Sequence, residues 1–273
     1  MKIHVLGCTG MLGTYVSKYF KQCGYNVEAY DRSRCNVYNF KSTVFAKTLH
    51  EDDIIINCIG LLKPNIQSHQ HAIDINYNFP LKLDIISKNT NCKLVNFSSD
   101  CVFSGDKGSY IETDRYDAYD WYGHTKRHND LRSTVMRISF IGEEIYNKIG
   151  LLEFALKNAN RQVTGYTNCL WNGVTGLEVA KLIERMVRND GISFWSGIRH
   201  VYSQAIVSKY ELICLLNEIY DLNMTILPTT AKSISGTVIN NILDRSLSTI
   251  HPVIQLPTLK CMINEQKRFI YEH

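Results

Sequence analysis

The 273 residues are 45% hydrophobic and 21% charged, a balance that allows one large domain, or a domain with a smaller satellite, and excludes a disordered chain. The net charge of +4 is spread along the sequence, with no Lys/Arg run longer than two residues, so no nucleic-acid partner is expected. No apolar run reaches membrane-spanning length, and no membrane association is expected.

In chain order, Lys2 to Leu6 is a short β-run ending in Gly7. Leu12, Val16 and Phe20 follow with helical spacing over Met11 to Gln22, and Gly24 stops that helix. Tyr25 to Tyr30 reads as a second strand ending at Asp31. The runs Asp53 to Ile59 and Lys93 to Phe97 are nearly continuous in apolar residues, with a helix near Asn76 to Lys88 between them. Runs of this kind suit parallel strands buried on both faces. Strand and helix alternate to about residue 140, the doubly wound α/β pattern. Beyond it, Thr175 to Arg188 has helical period, His200 to Ser203 reads as a strand and Lys209 to Tyr220 as a helix. The expected architecture is α/β, a Rossmann-type doubly wound parallel sheet with a smaller C-terminal α/β lobe packed on it across a cleft. The dinucleotide-binding domain is expected over 1–142 plus roughly 166–203, and the lobe over roughly 143–165 plus 204–273.

Nine cysteines, an odd number with no Cys-x-x-Cys, read as reduced thiols of a cytoplasmic protein rather than a disulfide framework or zinc site. The first strand begins at once, so no signal peptide is expected. His69 and His71, two apart, have poor ligand spacing on a helix and read as solvated; no metal site is expected. The sequon Asn96-Phe97-Ser98 falls at a buried strand end and is discounted.

Gly7-Cys8-Thr9-Gly10-Met11-Leu12-Gly13 lies between the first strand and the first helix. In a Gly-x-x-Gly-x-x-Gly turn the first glycine permits the tight bend and the second lets a pyrophosphate approach the backbone. The third lets the helix pack closely on the strand, and the helix N-terminal amides then hold the phosphates. Asp31, ending the second strand, suits the adenine ribose hydroxyls of NADH, whereas Arg32 and Arg34 suit the 2′-phosphate of NADPH. NADPH is favoured, with NADH as the alternative.

Ser98-Ser99-Asp100-Cys101 ends the strand at Lys93 to Phe97, and Tyr122 and Lys126 follow. Tyr and Lys four apart on a helix share a face, and an ammonium beside a phenol lowers its pKa toward the operating range. Tyr122 is then placed to protonate a carbonyl oxygen as hydride reaches the carbon, with Ser99 giving that oxygen a second hydrogen bond. Tyr-x-x-x-Lys alone also describes a solvated surface pair; the glycine turn and the Ser-Ser-Asp strand end make it specific. Ser98 and Ser99 lack a Gly-x-Ser-x-Gly elbow, and Cys101 has no nearby His, so nucleophilic hydrolysis is not read here.

These motifs resemble the extended short-chain dehydrogenases and, within them, the dTDP-4-dehydrorhamnose reductase family. The resemblance covers most of the chain and is strongest over 1–142. Ser98-Ser99-Asp100-Cys101-Val102-Phe103 stands where the family has Ser-Thr-Asp-Tyr-Val-Phe. Glu112-Thr113-Asp114 and Tyr122-Gly123-His124-Thr125-Lys126 match its Glu-Thr-Asp and Tyr-Gly-x-Thr-Lys. The resemblance implies reduction of the C4 keto group of a nucleotide-linked 4-keto-6-deoxyhexose by NAD(P)H, with Ser99, Tyr122 and Lys126 catalytic. It implies cofactor contacts from Gly7, Thr9, Gly10, Met11, Leu12, Gly13, Asp31, Arg32, Arg34, Asn36, Val37, Cys58, Ile59 and Gly60, besides Tyr122 and Lys126. Asn57 lines the same cleft, and Arg137 to Phe140 passes the nicotinamide. Asp100, Cys101 and Val102 are the implied substrate contacts.

The departures are specific. Asn36-Val37 replaces an Asp-Leu or Asp-Val pair beside adenine, and Cys101 replaces a tyrosine. Thr237 to Asp244 carries no arginine where the family has Arg-Pro, which puts dTDP in doubt. Sister 4,6-dehydratases use Asp-Glu where this chain has Asp100-Cys101, so dehydration is not expected. Tyr166 to Thr175 is similar to a stretch of reductases of N-acetylated 6-deoxy sugars. Trp171 there offers a flat face, and Asn168 and Asn172 offer amides, to a UDP-linked 2-acetamido-2,6-dideoxyhexose; core burial of Trp171 is the equal alternative. Cys101 or His124 could exchange the proton next to the keto group, adding epimerisation. The competing readings are a 4-epimerase with tightly held NAD and a non-catalytic nucleotide-binding regulatory subunit. A second copy of the chain, as in a homodimer, is left open as a partner.

Overall fold

The computed structural model describes residues 1–144, 148–231 and 242–271. In chain order its first elements are β1 (Ile3–Leu6), α1 (Met11–Gln22), β2 (Val27–Tyr30), α2 (Ser42–Ala46) and β3 (Ile54–Asn57). Then come α3 (His69–Ile73), a π-turn (Asp74–Asn78), α4 (Phe79–Thr90), β4 (Lys93–Ser99), α5 (Trp121–Thr125), β5 (Thr134–Ile138) and β6 (Phe140–Ile141). These are followed by α6 (Leu151–Lys157), β7 (Gln162–Tyr166), β8 (Cys169–Trp171), β9 (Val174–Thr175), α7 (Gly176–Arg188) and β10 (Gly197–His200). The last are β11 (Val207–Ser208), α8 (Lys209–Tyr220), β12 (Thr225–Thr229), β13 (Leu243–Asp244) and α9 (Leu259–Tyr271).

The chain divides into two units. The first holds Met1–Val102, Ala118–Arg137 and Val179–Arg199. Its sheet has six strands in the order β10-β5-β4-β3-β1-β2, with β1 parallel to both β2 and β3 and β3 parallel to β4. The uniformly apolar runs explain this: Ile54, Ile55 and Ile56 are all buried, as a strand covered on both faces requires. Leu12, Tyr15, Val16 and Phe20, at helical spacing, form the buried side of α1. From β1 the chain passes to β2 on one side and to β3 on the other. That reversal leaves a crevice at the carboxyl ends of the strands, and Gly7, Cys58 and Asp100 follow directly on β1, β3 and β4 there.

The helix expected near Asn76 to Lys88 begins later, at Phe79, with Pro80 in its first turn, where a missing N–H costs nothing. The residues before it form the π-turn. The strand expected at His200 to Ser203 lies instead at Gly197–His200. The Ser203 N–H donates to the Asn172 carbonyl (2.7 Å) rather than to a ladder partner.

The second unit holds Phe103–Asp117, Ile138–Glu178 and His200–His273. It contains the parallel pair β7–β12, the three-stranded order β11-β8-β13 and the short parallel pair β6–β9. Helix α8 starts at a capping box of Ser208 and Glu211 and buries Leu212, Ile213 and Leu216. Residues 103–117 pack here rather than with the first unit because of Phe103, Tyr110 and Glu112. The Phe103 and Tyr110 rings stack at 4.2 Å. The Glu112 carboxylate accepts from the His200 N–H (2.8 Å), the Thr249 hydroxyl (2.7 Å) and the Ile250 N–H (3.0 Å).

Candidate active site

Gly7 has a φ of +76°, in the left-handed region that favours glycine. A Cβ on Gly13 would stand 2.1 Å from the Gly7 carbonyl oxygen, so only glycine lets α1 sit so close to the turn. Gly10 precedes α1 with no side-chain cap, and the first turn of the helix carries no acidic residue. Free amides and a positive dipole end on a 12-residue helix are a donor set that fits a diphosphate.

At the end of β2, Asp31 Oδ1 accepts from the Ser33 N–H (2.9 Å), the Ser33 hydroxyl (2.6 Å) and the Arg34 N–H (3.1 Å). These bonds hold its carboxyl below the usual range, the Ser33 hydroxyl contributing most. The Arg34 guanidinium donates to the Ala29 carbonyl (2.8 Å) and pairs with Glu28. It lies 4.7 Å over the Tyr30 ring. Of the two arginines proposed for a 2′-phosphate, Arg34 is therefore committed to β2, while Arg32 is exposed. Asn36 spends its side chain capping the next turn, accepting from Tyr38 N–H, and Val37 opens that turn.

After β3, Ile59 N–H donates to Asn57 Oδ1 (3.2 Å), which bends the chain through Cys58, Ile59 and Gly60. A Cβ on Gly60 would lie 3.2 Å from Lys126 Nζ, so this loop and the lysine are neighbours. Asn76, fully buried in the π-turn, was not singled out from sequence. Its amide oxygen accepts from Leu61 N–H (2.8 Å) and its amide nitrogen donates to Leu61 O (3.1 Å) and to Thr125 Oγ1 (3.3 Å).

Ser99 ends β4. Its hydroxyl donates to Asp100 Oδ1 (3.0 Å) and accepts from Cys101 N–H (3.1 Å). Asp100, Cys101 and Val102 form a 3-10 turn with Asp100 and Val102 buried. The turn sits directly against α5: a Cβ on Gly123 would meet the Cys101 carbonyl oxygen at 2.3 Å. Asp120 caps α5 by accepting from Gly123 N–H (2.9 Å). The helix ends at Thr125, so Lys126 takes the cap position with non-helical φ of −98°. Its ammonium donates to the Phe97 carbonyl (3.3 Å), and its carbonyl accepts from the Ser98 hydroxyl (2.6 Å). The fully buried Arg137 backs this corner, its Nε donating to Ser98 Oγ (3.2 Å).

The expected lowering of the Tyr122 phenol by Lys126 is corrected by this arrangement. Burial pushes the phenol above its ordinary value and the neighbouring Cys101 adds to the rise; a hydrogen bond with Ser99 opposes them. The Lys126 ammonium is turned to the Phe97 carbonyl. Burial lowers Lys126 itself from 10.5 to about 8.

The three other proposed substrate residues lie in the second unit. Trp171 is 3% exposed, donates from Nε1 to Ser139 Oγ (2.7 Å) and carries Lys209 Nζ 4.9 Å above its ring. Asn172 exchanges both amide bonds with Leu247 (2.8 Å each), and Asn168 does the same with Ala231 (2.9 and 2.8 Å). These amides act as short pieces of strand. Of Thr237 to Asp244, positions 237–241 lie outside the described residues.

A parallel sheet with a glycine turn after β1 and Ser, Tyr and Lys around the end of β4 defines an extended short-chain dehydrogenase/reductase. The family model of the RmlD substrate binding domain matches residues 1–148, and the chain belongs to that family. Among curated relatives, the spore coat polysaccharide biosynthesis protein SpsK of Bacillus subtilis (strain 168) is 24% identical over 244 residues, covering 85% of this chain and 83% of its own. Methionine adenosyltransferase 2 subunit beta of Danio rerio is 22% identical over 252 residues, covering 81% and 74%. Among solved structures, a dTDP-4-dehydrorhamnose reductase of Clostridium acetobutylicum superposes with a TM-score of 0.78 at 16% identity, over 99% of both chains. That of Bacillus anthracis, in complex with NADP, superposes at 0.75 and 16% identity, again over 99% of each.

Proposed function

We propose that the protein is a sugar-nucleotide reductase that uses NADPH, with NADH as the alternative, to reduce the C4 keto group of a nucleotide-linked 4-keto-6-deoxyhexose. The observation that carries the reading is the gathering of Ser99, Tyr122 and Lys126 around the end of β4, beside the loop Cys58–Gly60 and in the same unit as the Gly7–Gly13 turn. The solved dTDP-4-dehydrorhamnose reductases and a MoeE5 structure with UDP-glucuronic acid and NAD support the substrate and cofactor class. The bound dinucleotide supplies the hydride. Gly7, Gly10 and the first amides of α1 would hold its diphosphate, and Arg32, exposed after Asp31, would meet a 2′-phosphate.

Tyr122, kept protonated at neutral pH by its buried setting, gives its phenolic proton to the substrate oxygen. Ser99 donates a hydrogen bond to the same oxygen, exchanging its present bond to Asp100. Lys126, charged at pH 7, supports the phenolate left behind. The favoured sugar is a UDP-linked 2-acetamido-2,6-dideoxyhexose, with dTDP- or UDP-4-keto-rhamnose next, and cytoplasmic deoxysugar synthesis as the setting. Oxidation of NADPH and NADH with UDP- and dTDP-4-keto-6-deoxy sugars, with and without the 2-acetamido group, tests this; no oxidation with any of them would sink it.

A second reading, a regulatory subunit without turnover, is favoured by the relatives that are methionine adenosyltransferase 2 subunit beta. It predicts co-elution with a methionine adenosyltransferase catalytic subunit and no ketone-dependent NADPH oxidation. A 4-epimerase would instead copurify with its cofactor.

A further inference from the structure

Helix α5, which carries Tyr122, is five residues long, too short to hold its own shape in water. Its surroundings must therefore fix the phenol. On the inner side, Gly123 rests on the Cys101 carbonyl and the Ser98 hydroxyl holds the Lys126 carbonyl. On the outer side three ties reach α5 from one connection, residues 61–76. Lys63 Nζ donates to Asp120 Oδ2 (2.5 Å), while Oδ1 of the same carboxylate caps Gly123 N–H. The His69 ring stacks on Trp121 with centroids 3.6 Å apart and planes inclined by 26°. Asn76 joins Thr125 to Leu61.

These ties differ in kind. Lys63 and Asp120 form a surface pair, 60% and 32% exposed, and such pairs contribute little. The stack covers one face of an indole that also has the His124 ring tilted beside it at 6.0 Å and remains 49% exposed, and an aromatic pair adds to its area burial. Trp121 is also the residue joined directly to Tyr122.

We propose that His69, by stacking on Trp121, is a positioning residue that sets where Tyr122 presents its phenol. The inference rests on Tyr122 as proton donor. The chain of contact also runs back to the cofactor loop, since residues 61–76 continue directly from Cys58–Gly60.

The test uses the full chain. His69→Ala should lower kcat about tenfold, as a displaced catalytic group does, while KM for NADPH stays within about twofold. His69→Phe keeps a stacked ring without the imidazole nitrogens and should restore most of the lost kcat. His71→Ala, on the same helix but stacked over Tyr38, should leave kcat unchanged. The same variants are also read without turnover, by hydrogen exchange of the peptide spanning 119–127 with NADPH bound. Exchange should quicken about fivefold or more in His69→Ala and return to normal in His69→Phe. If the wild type reduces no keto sugar, the reductase reading fails, and unchanged exchange in His69→Ala then separately overturns the positioning role. If the wild type turns over and His69→Ala keeps its kcat, or His69→Phe is as slow as His69→Ala, the stack does not position Tyr122.

Discussion

Tyr122 and Lys126 look like one device in the sequence, but burial acts on them in opposite directions. The phenol is pushed up and the ammonium down. Tyr122→Phe should cut ketone reduction by at least about a hundredfold, the size of a lost general acid, with NADPH affinity changed little; steady-state rates and a fluorescence titration check this. Lys126 gives a pH prediction with a definite sign. Its folded value is about 8 against 10.5 for an ordinary lysine. Reduction should therefore decline as pH rises through about 8, where the ammonium is lost. Between those two values the unfolded chain binds more protons than the folded one, so this residue's contribution to stability improves as pH rises. Lys126→Met should stabilise the ligand-free protein at pH 7, by at most about 3 kcal/mol, and the gain should vanish near pH 10; urea unfolding at both pH values measures it. The Tyr–Lys spacing was legible in the sequence. The turn of Lys126 toward Phe97 was not, because it depends on α5 ending one residue earlier.

At the scale of elements, what could be read depended on whether the determinant was local. Helix α1 runs Met11–Gln22 and α8 runs Lys209–Tyr220, as their spacing predicts, because glycine or a Ser–Glu capping box marks the ends. The π-turn before α4 has no such marker, and β10 stops short because Ser203 bonds to a residue 31 positions away, Asn172. His69, read as solvated, is exposed as expected, but it also stacks on Trp121, a contact between distant segments that no periodicity reveals. The glycine turn is the opposite case: its spacing alone predicted the close approach of α1. Gly13→Ala should abolish tight NADPH binding and destabilise the chain by about 1–3 kcal/mol, since its Cβ would collide with backbone. Thermal unfolding and a binding titration test both halves.

For the whole molecule, the doubly wound sheet was readable because its inner strands β1, β3, β4 and β5 are buried on both faces and so lack polar alternation. The grouping of residues 103–117 with the second unit was not readable, because it rests on Glu112 collecting donors from His200, Thr249 and Ile250. A ligand that binds only the folded chain stabilises it by mass action. NADPH at a hundred times its Kd should add about 2.7 kcal/mol and raise Tm by about 5–8 °C. A smaller rise with NADH at equal concentration would establish the preference for the 2′-phosphate, and equal rises would remove Arg32 from that role.

The contact between Gly123 and the Cys101 carbonyl also limits redesign of the site. An obstructing side chain can be trimmed or can change rotamer, whereas a carbonyl in a turn that follows a buried strand cannot yield. Libraries aimed at new ketone substrates can therefore vary the Cys101 side chain, while Trp121 is kept for its stack with His69. Position 123 must stay fixed, because any side chain there lifts Tyr122 off its support.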